Sequence, residues 1–437
     1  MTTGLRDHPL RQRLTDELHA RPFAAVTAPA RASHLALCSS DGTGAEAQRH
    51  LASLCTRFDV APPESGDNHL MADFGAFRLK WERHSEFSSY TVFTEADLEQ
   101  DLFADSALAK VPQDWLASLP GERMVGLHAE LLPQRQQEPD AAALAALFGT
   151  DNFAGALMSG GAAAAWTDFA IKPGGFTCLL IQDRCLRPRQ AGRLLQRLFE
   201  IETYRMMALL ALPLAREVTP DLDAARDRLV AITSQMSKIS ALEDERRQLD
   251  ELTELSQEIE RVAAATTYRF SAARAYYALV ERRIDELREV RIEGTQTIRE
   301  FMERRLSPAM RTCASTDERI DRISRRLTRA GQLLRTRVDI QLESQNRDLL
   351  SAMNRRAQLQ LRLQETVEGL SVAAISYYLV GLVNYALKSL KAAGAAIDVA
   401  LLTGLSILPV AALVWFGMRR VRRLVTRGQS DAAGEMP

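Results

Sequence analysis

The sequence predicts an α+β domain, then long antiparallel, coiled-coil-like helices, then a C-terminal two-helix transmembrane hairpin. Three observations carry that order. Segments that alternate between helical and strand patterns, together with all seven histidines, lie early in the chain. Arg and Glu crowd residues 216–362, where Gly and Pro are rare. The longest uncharged apolar runs come after Glu368. These zones divide the chain into an α+β domain (1–188), a helical stalk (189–366), a first transmembrane helix (367–390), a short external connector (391–398), a second transmembrane helix (399–418) and a basic tail (419–437).

The α+β domain is read from its periodicities. "SHLALCSS" (33–40) is an apolar run of strand length, followed by "DGTG" and a helical pattern up to Cys55. "FGAFRLKWERH" and "FSSYTVF" alternate and carry aromatics, the signature of paired strands. "ERMVGLHAEL" is a further strand, and "NFAGALMSGG", "AAAAWTDFAIKPGG" and "FTCLLIQD" form a meander punctuated by Gly-Gly turns. A mostly antiparallel sheet is expected.

The stalk is rich in Leu, Arg, Glu, Gln and Ala, all good helix formers. Leu229, Ile232, Met236, Ile239 and Leu242, then Leu249, Leu252, Leu255, Ile259 and Val262, recur at steps of three and four with a slip near Leu242. A second seam runs through Ile320, Ile323, Leu327, Ala330 and Leu334. "LSPAM" (306–310) interrupts the pattern, so Ser307 is expected to cap a new helix with Pro308 at its first position. That helix is expected to run on into the membrane.

Residues 369–387 hold no charge, over roughly the 20 residues a spanning helix needs. A second uncharged run, 399–418, stops against "RRVRRLVTR". Two spans joined by a short connector make a helical hairpin in which each helix satisfies its own backbone. Arg419, Arg420, Arg422 and Arg423 flank one end, and Arg355, Arg356 and Arg362 the other, whereas the connector holds Lys388 and Lys391. The positive-inside bias then places both termini in the cytoplasm, with the inner membrane as the location. Asp398 is expected to cap the second span or pair with Lys391, and Pro409 to kink it.

Composition narrows the function. Lys plus Arg number 55 against 56 Asp plus Glu, so net charge makes no case for nucleic acid as a partner. The five cysteines (Cys38, Cys55, Cys178, Cys185, Cys313) form no C-x-x-C pair and read as free thiols in a reducing compartment. The first residues lack the apolar stretch of a secretory signal, so the bulk of the chain is expected in the cytoplasm.

Candidate sites are few. "DGTG" sits between a strand and a helix but lacks the Lys-Ser/Thr of a phosphate loop, so Asp41 reads as a turn or cap residue. "ELHARPF" gathers Glu17, His19 and Arg21 near a helix end. "WERHSEF" places Glu82, His84 and Glu86 at a period of two, one face of a strand. His19, Glu82, His84 and Glu86 are therefore the metal candidates, set against a plain polar sheet face. No catalytic residue and no cofactor are expected. In the first span Tyr377, Gly381, Asn384 and Lys388 fall at i, i+4, i+7 and i+11, a polar stripe that must face protein or water. Gly381 permits close helix approach and Asn384 a hydrogen bond across an interface; a pore lining is the other reading.

"ELHARPF", "LKWERHSEF" and "LQLRLQETVEGLSVAAISYYLVGL" resemble a bacterial family of predicted membrane-anchored proteins of unknown function, over the whole chain. The order of parts also resembles the CorA magnesium-channel type. That resemblance implies a homo-oligomer with the first span lining a pore. The Gly-Met-Asn signature is absent, however, "GLVN" (381–384) standing nearest to it, and the connector is basic. The expected function is an oligomeric, non-enzymatic membrane protein with a cytoplasmic sensing or scaffolding head. A CorA-like channel or transporter is the alternative, and a tethered enzyme a third reading. The expected partners are the lipid bilayer and further copies of the chain.

Overall fold

The computed structural model describes residues 6–12, 14–15, 23–39, 44–64, 66–96, 101–134, 138–236, 238–239, 241–394 and 397–432. The chain divides into two compact units, one of Met1–Ser240 with Arg246–Gln332, the other of Ala241–Glu245 with Leu333–Pro437.

The first unit is built on one sheet. Its strands are β1 (Ala30–Cys38), β2 (His69–Asp73), β3 (Arg78–Arg83), β4 (Phe87–Glu95), β5 (Glu122–Leu132), β6 (Ala154–Met158), β7 (Ala163–Thr167), β8 (Thr177–Asp183) and β9 (Val290–Arg291). They lie in the order β2-β3-β4-β1-β5-β8-β7-β6-β9. Every pairing is antiparallel except β5 with β8, so the sheet is mixed. β1 is an interior strand, between β4 and β5, and is buried along almost its whole length, because both faces are covered.

On one face Leu35 and Leu37 meet Leu51 and Leu54 of α1 (Ala45–Arg57), with Trp81, Tyr90 and Trp115 completing the core. Trp115 belongs to α2 (Gln113–Ala117) and donates its indole N–H to the His50 carbonyl at 3.0 Å. Farther along, α3 (Ala141–Phe148) lays Leu144 and Phe148 on Trp166 and Leu180. The opposite face is covered by α4 (Pro188–Leu209), whose buried stripe includes Leu194, Leu198, Phe199 and Ile201. Gly192 of α4 is obligatory for this fit: a Cβ there would lie 1.7 Å from the Ala24 carbonyl oxygen.

α5 (Ala211–Gln235) and α6 (Leu242–Leu287) follow. The slip near Leu242 in the sequence pattern falls where α6 begins, after α5 has ended at Gln235. Leu229, Ile232, Leu252, Leu255 and Ile259 of that seam are buried, as are Ile320, Ile323, Leu327, Ala330 and Leu334 of the second.

Two expectations for the stalk are corrected. The stretch is not helical throughout, since β9 pairs with β6 and joins the connection after α6 to the sheet. Nor does a helix begin at Ser307. The last long helix, α7 (Ile298–Ala392), runs through Pro308. Its start is fixed ten residues earlier by a reciprocal capping box: Glu300 N–H donates to Thr297 Oγ1, and Thr297 N–H to Glu300 Oε2, both at 3.1 Å. The Glu289 carboxylate accepts from the N–H groups of Ile298 (2.9 Å) and Arg299 (3.1 Å). These bonds satisfy donors that a start at Ser307 would leave elsewhere. Burial of Leu306, Met310 and Cys313 holds the helix across the proline, whose cost is about 3 kcal/mol.

In the second unit α7 continues to Ala392 and α8 spans Val399–Ala432. Residues 419–432 of the expected basic tail are thus a helical extension of the second apolar segment. Asp398 caps α8, its carboxylate accepting from the N–H groups of Ala400 (3.0 Å) and Leu401 (3.3 Å). Pro409 lies inside α8.

Candidate functional site

A cluster of buried and half-buried polar side chains lies between the sheet and α4. β1 and β4 contribute His34, Ser89 and Thr91, β3 contributes Lys80 and Glu82, and α4 contributes Gln196, Glu200 and Thr203. His34 is the anchor. Its Nδ1 lies 2.8 Å from Thr91 Oγ1 and its Nε2 3.1 Å from Thr203 Oγ1. Thr203 gives its own hydroxyl proton to the Phe199 carbonyl at 2.9 Å, so it accepts from His34 Nε2–H, and Nδ1 accepts from Thr91. The ring also stacks on Phe199, centroids 5.1 Å apart. Burial, with smaller contributions from His84 and Lys80, pushes the His34 pKa down to about 3, so the imidazole is neutral.

Beside it, Lys80 is buried on β3. Its ammonium sits 3.0 Å from Glu82 Oε1 and donates to Gln196 Oε1 at 2.8 Å. Gln196 Nε2 donates to Glu200 Oε1 at 2.7 Å, and Glu200 is paired with Arg283 of α6. Arg283 and Arg197 then converge on Glu286, at 2.9 and 3.1 Å. Burial opposes ionisation of Glu286, but these two guanidinium groups hold its carboxyl below the usual range. The result is one chain of alternating charges from the sheet through α4 to α6. The cavity it lines has a volume of about 30 Å³, space for roughly one water. The arrangement can tie three layers together and hold a proton inventory fixed.

The metal candidates fare differently from one another. His19 and its neighbours Glu17 and Arg21 lie outside the described residues, as does Asp41 of "DGTG". Glu82, His84 and Glu86 do not share one strand face, because "WERHSEF" crosses the β3–β4 hairpin turn. Phe87 opens the second strand there: His84 N–H donates to its carbonyl at 2.8 Å, and the His84 ring stacks on it at 4.3 Å. Glu82 turns to Lys80, whereas Glu86 takes Arg269 of α6 at 2.8 Å. Tyr276 also bonds Glu86, and burial followed by that carboxylate raises its pKa. Among the described residues no three His, Cys, Asp or Glu side chains are grouped to hold a metal ion.

A second polar pair was not anticipated from the sequence. Ser33 Oγ and His128 Nδ1 are 2.8 Å apart on the other face of the sheet. Burial, then Arg123, brings His128 down to about 4. The geometry is that of a nucleophile and its base, but Ser33 is wholly buried and His128 is covered by Phe176 at 4.0 Å. The neighbouring Glu130 is committed to Arg31 at 2.9 Å. No substrate reaches Ser33 in this state. His34 and Lys80 carried a faint sequence signal, a histidine and a lysine inside strand-like apolar runs. Their partners on α4 and α6 lie more than a hundred residues away and carried none.

In the second unit the polar stripe of α7 is divided. Tyr377 and Lys388 are exposed, while Gly381 and Asn384 are half-buried. Thr403 of α8 donates to Asn384 Oδ1 at 3.3 Å, so the amide is turned toward the neighbouring helix. Arg419 lies over the Trp415 ring at 4.9 Å. Arg420, Arg422 and Arg423 lie in the same terminal stretch of α8. Both α7 and α8 hold segments long and apolar enough to cross a membrane.

No curated protein matches the chain. A family model described as a protein of unknown function, DUF3422, matches residues 6–425. That match takes in the sheet, the long helices and both apolar segments, and the chain therefore belongs to the DUF3422 family.

Proposed function

We propose that this chain is an integral protein of the inner membrane, held by α7 and α8, with a non-enzymatic cytoplasmic head that senses or scaffolds and with further copies of itself as partners. One observation carries the reading. None of the apolar window of α7 and only 6% of that of α8 is buried within the chain. A core helix of a soluble protein buries such a window; here Leu370, Tyr377 and Leu408 are each more than 70% exposed. A bilayer removes that surface from water.

Charge placement supports the orientation. Arginines flank the outer ends of the hairpin at Arg355, Arg356, Arg362, Arg419, Arg420, Arg422 and Arg423, against Lys388 and Lys391 between the helices. Both termini are then cytoplasmic. The Thr403–Asn384 bond supports α7 as a helix-packing surface rather than a pore wall. In the head, the satisfied chain from Glu82 to Glu286 supports a rigid scaffold over a catalytic pocket.

Reporters active on one side only, fused at each end of the full chain, test this topology. Cytoplasmic activity at both ends is expected. Opposite sides for the two ends would refute the hairpin.

A further inference from the structure

Residues 343–367 of α7 are helical and every one is solvent-exposed. A single helix with 25 consecutive exposed residues, approached by Met418 of α8 only over its last turns from Gln360, is marginal in water unless a partner covers it. Its sequence says what the partner is. Leu342, Asn346, Leu349, Met353, Arg356, Gln360, Leu363, Val367 and Leu370 follow one another at alternating steps of four and three. That is a heptad seam with leucine at nearly every d position and Asn346 at an a position, a residue that fixes register between like helices. Leu349, Met353 and Leu363 are 62%, 64% and 68% exposed.

Most charges lie off the seam, the exceptions being Arg356 at a d position and Glu343 at an e position. The other six, Arg347, Asp348, Arg355, Arg362, Glu365 and Glu368, fall at b, c or f positions, on the side away from it. Leu350, Ala352, Ala357 and Leu359 occupy e and g positions, where a two-stranded coil carries charge. The apolar stripe is therefore broader than one partner helix covers.

We propose that residues 342–370 form a parallel bundle of three or more copies of this chain, in register at Asn346. The parallel direction rests on the membrane reading: the helix continues without a break into the first apolar segment, so copies in one membrane enter it in the same sense. The partner is a second copy rather than another protein because the heptad is self-matching and its direction is set by the same anchor.

Disulfide trapping in membranes tests this with the full chain in a Cys185→Ser background, the unsubstituted chain giving the baseline. Leu349→Cys and Met353→Cys are expected to cross-link about tenfold more than Asp348→Cys and Ser351→Cys, since only seam positions bring Cβ atoms within disulfide reach. Light scattering in detergent is expected to give three or more copies, and Leu349→Asp with Met353→Asp to abolish the assembly. Equal cross-linking at all four positions, a dimer, or a mixed cross-link between Leu349→Cys and Leu363→Cys chains would overturn the proposal, the last by showing antiparallel helices. Carbonate washing of the same membranes separates the two claims. Retained chains that fail to cross-link at the seam remove the bundle alone, whereas released chains that still cross-link there keep the association and remove the anchor.

Discussion

Acidification should weaken the head through His34. Folded, this imidazole has a pKa of about 3; unfolded, it returns to about 6.5. Between those values the unfolded chain binds a proton that the folded chain does not. Stability from this group is therefore complete above pH 6.5 and is lost as pH falls toward 3. At pH 5 the loss is RT ln[(1 + 10^1.5)/(1 + 10^−2)], about 2 kcal/mol. His128, at about 4 in the fold, adds about 2 kcal/mol more on the same side. Urea titration of the purified full chain, followed by tryptophan emission, reads this out. At a slope of roughly 3 kcal/mol per molar, the midpoint should fall by about 1.3 M between pH 7 and pH 5. His34→Gln should cost about 2–3 kcal/mol at pH 7, through two lost hydrogen bonds and a lost stack. It should also roughly halve the pH-dependent fall. Equal falls in the parent and the variant would refute the assignment of a buried neutral His34.

Other consequences follow from the same contacts. Lys80→Met should destabilise by about 3 kcal/mol by leaving Glu82 unpaired, and adding Glu82→Leu should recover most of it in the same titration. A double-mutant cycle on Glu86→Gln and Arg269→Met should give a coupling of about 1–3 kcal/mol, since both side chains are largely buried. Gly192→Ala should cost about 1–3 kcal/mol or displace the segment at Ala24, visible as a loss of thermal stability. Thr403→Val should weaken the helix pair by only about 0.6 kcal/mol, measured by unfolding in mixed micelles.

Much of the fold is legible in local pattern. β1, β3, β4, β5 and the β6–β8 meander each carry their own alternation or apolar run, and α1 carries a helical one. The second apolar segment announces itself by length and by the arginines that end it. What local pattern missed depends on distant partners. β2 and β9 are short edge strands with little alternation of their own, and β9 forms by pairing with the distant β6 rather than from any local pattern. Pro308 misled because a proline rule is local, whereas Thr297, Glu300 and Glu289 had already satisfied the helix start. "WERHSEF" misled because period two continues across a tight turn while the side chains diverge, Glu82 to Lys80 and Glu86 to Arg269. The Lys80–Glu200–Arg283 chain joins three elements far apart in sequence, a juxtaposition that only the packed sheet, α4 and α6 create.

α7 and α8 are proposed to hold this protein in a bilayer. Alkaline carbonate extraction of membranes from cells making the full chain, beside a chain lacking residues 367–418, addresses this most directly. The full chain should stay in the pellet and the shortened chain move to the supernatant. Release of the full chain into the supernatant would contradict the proposal.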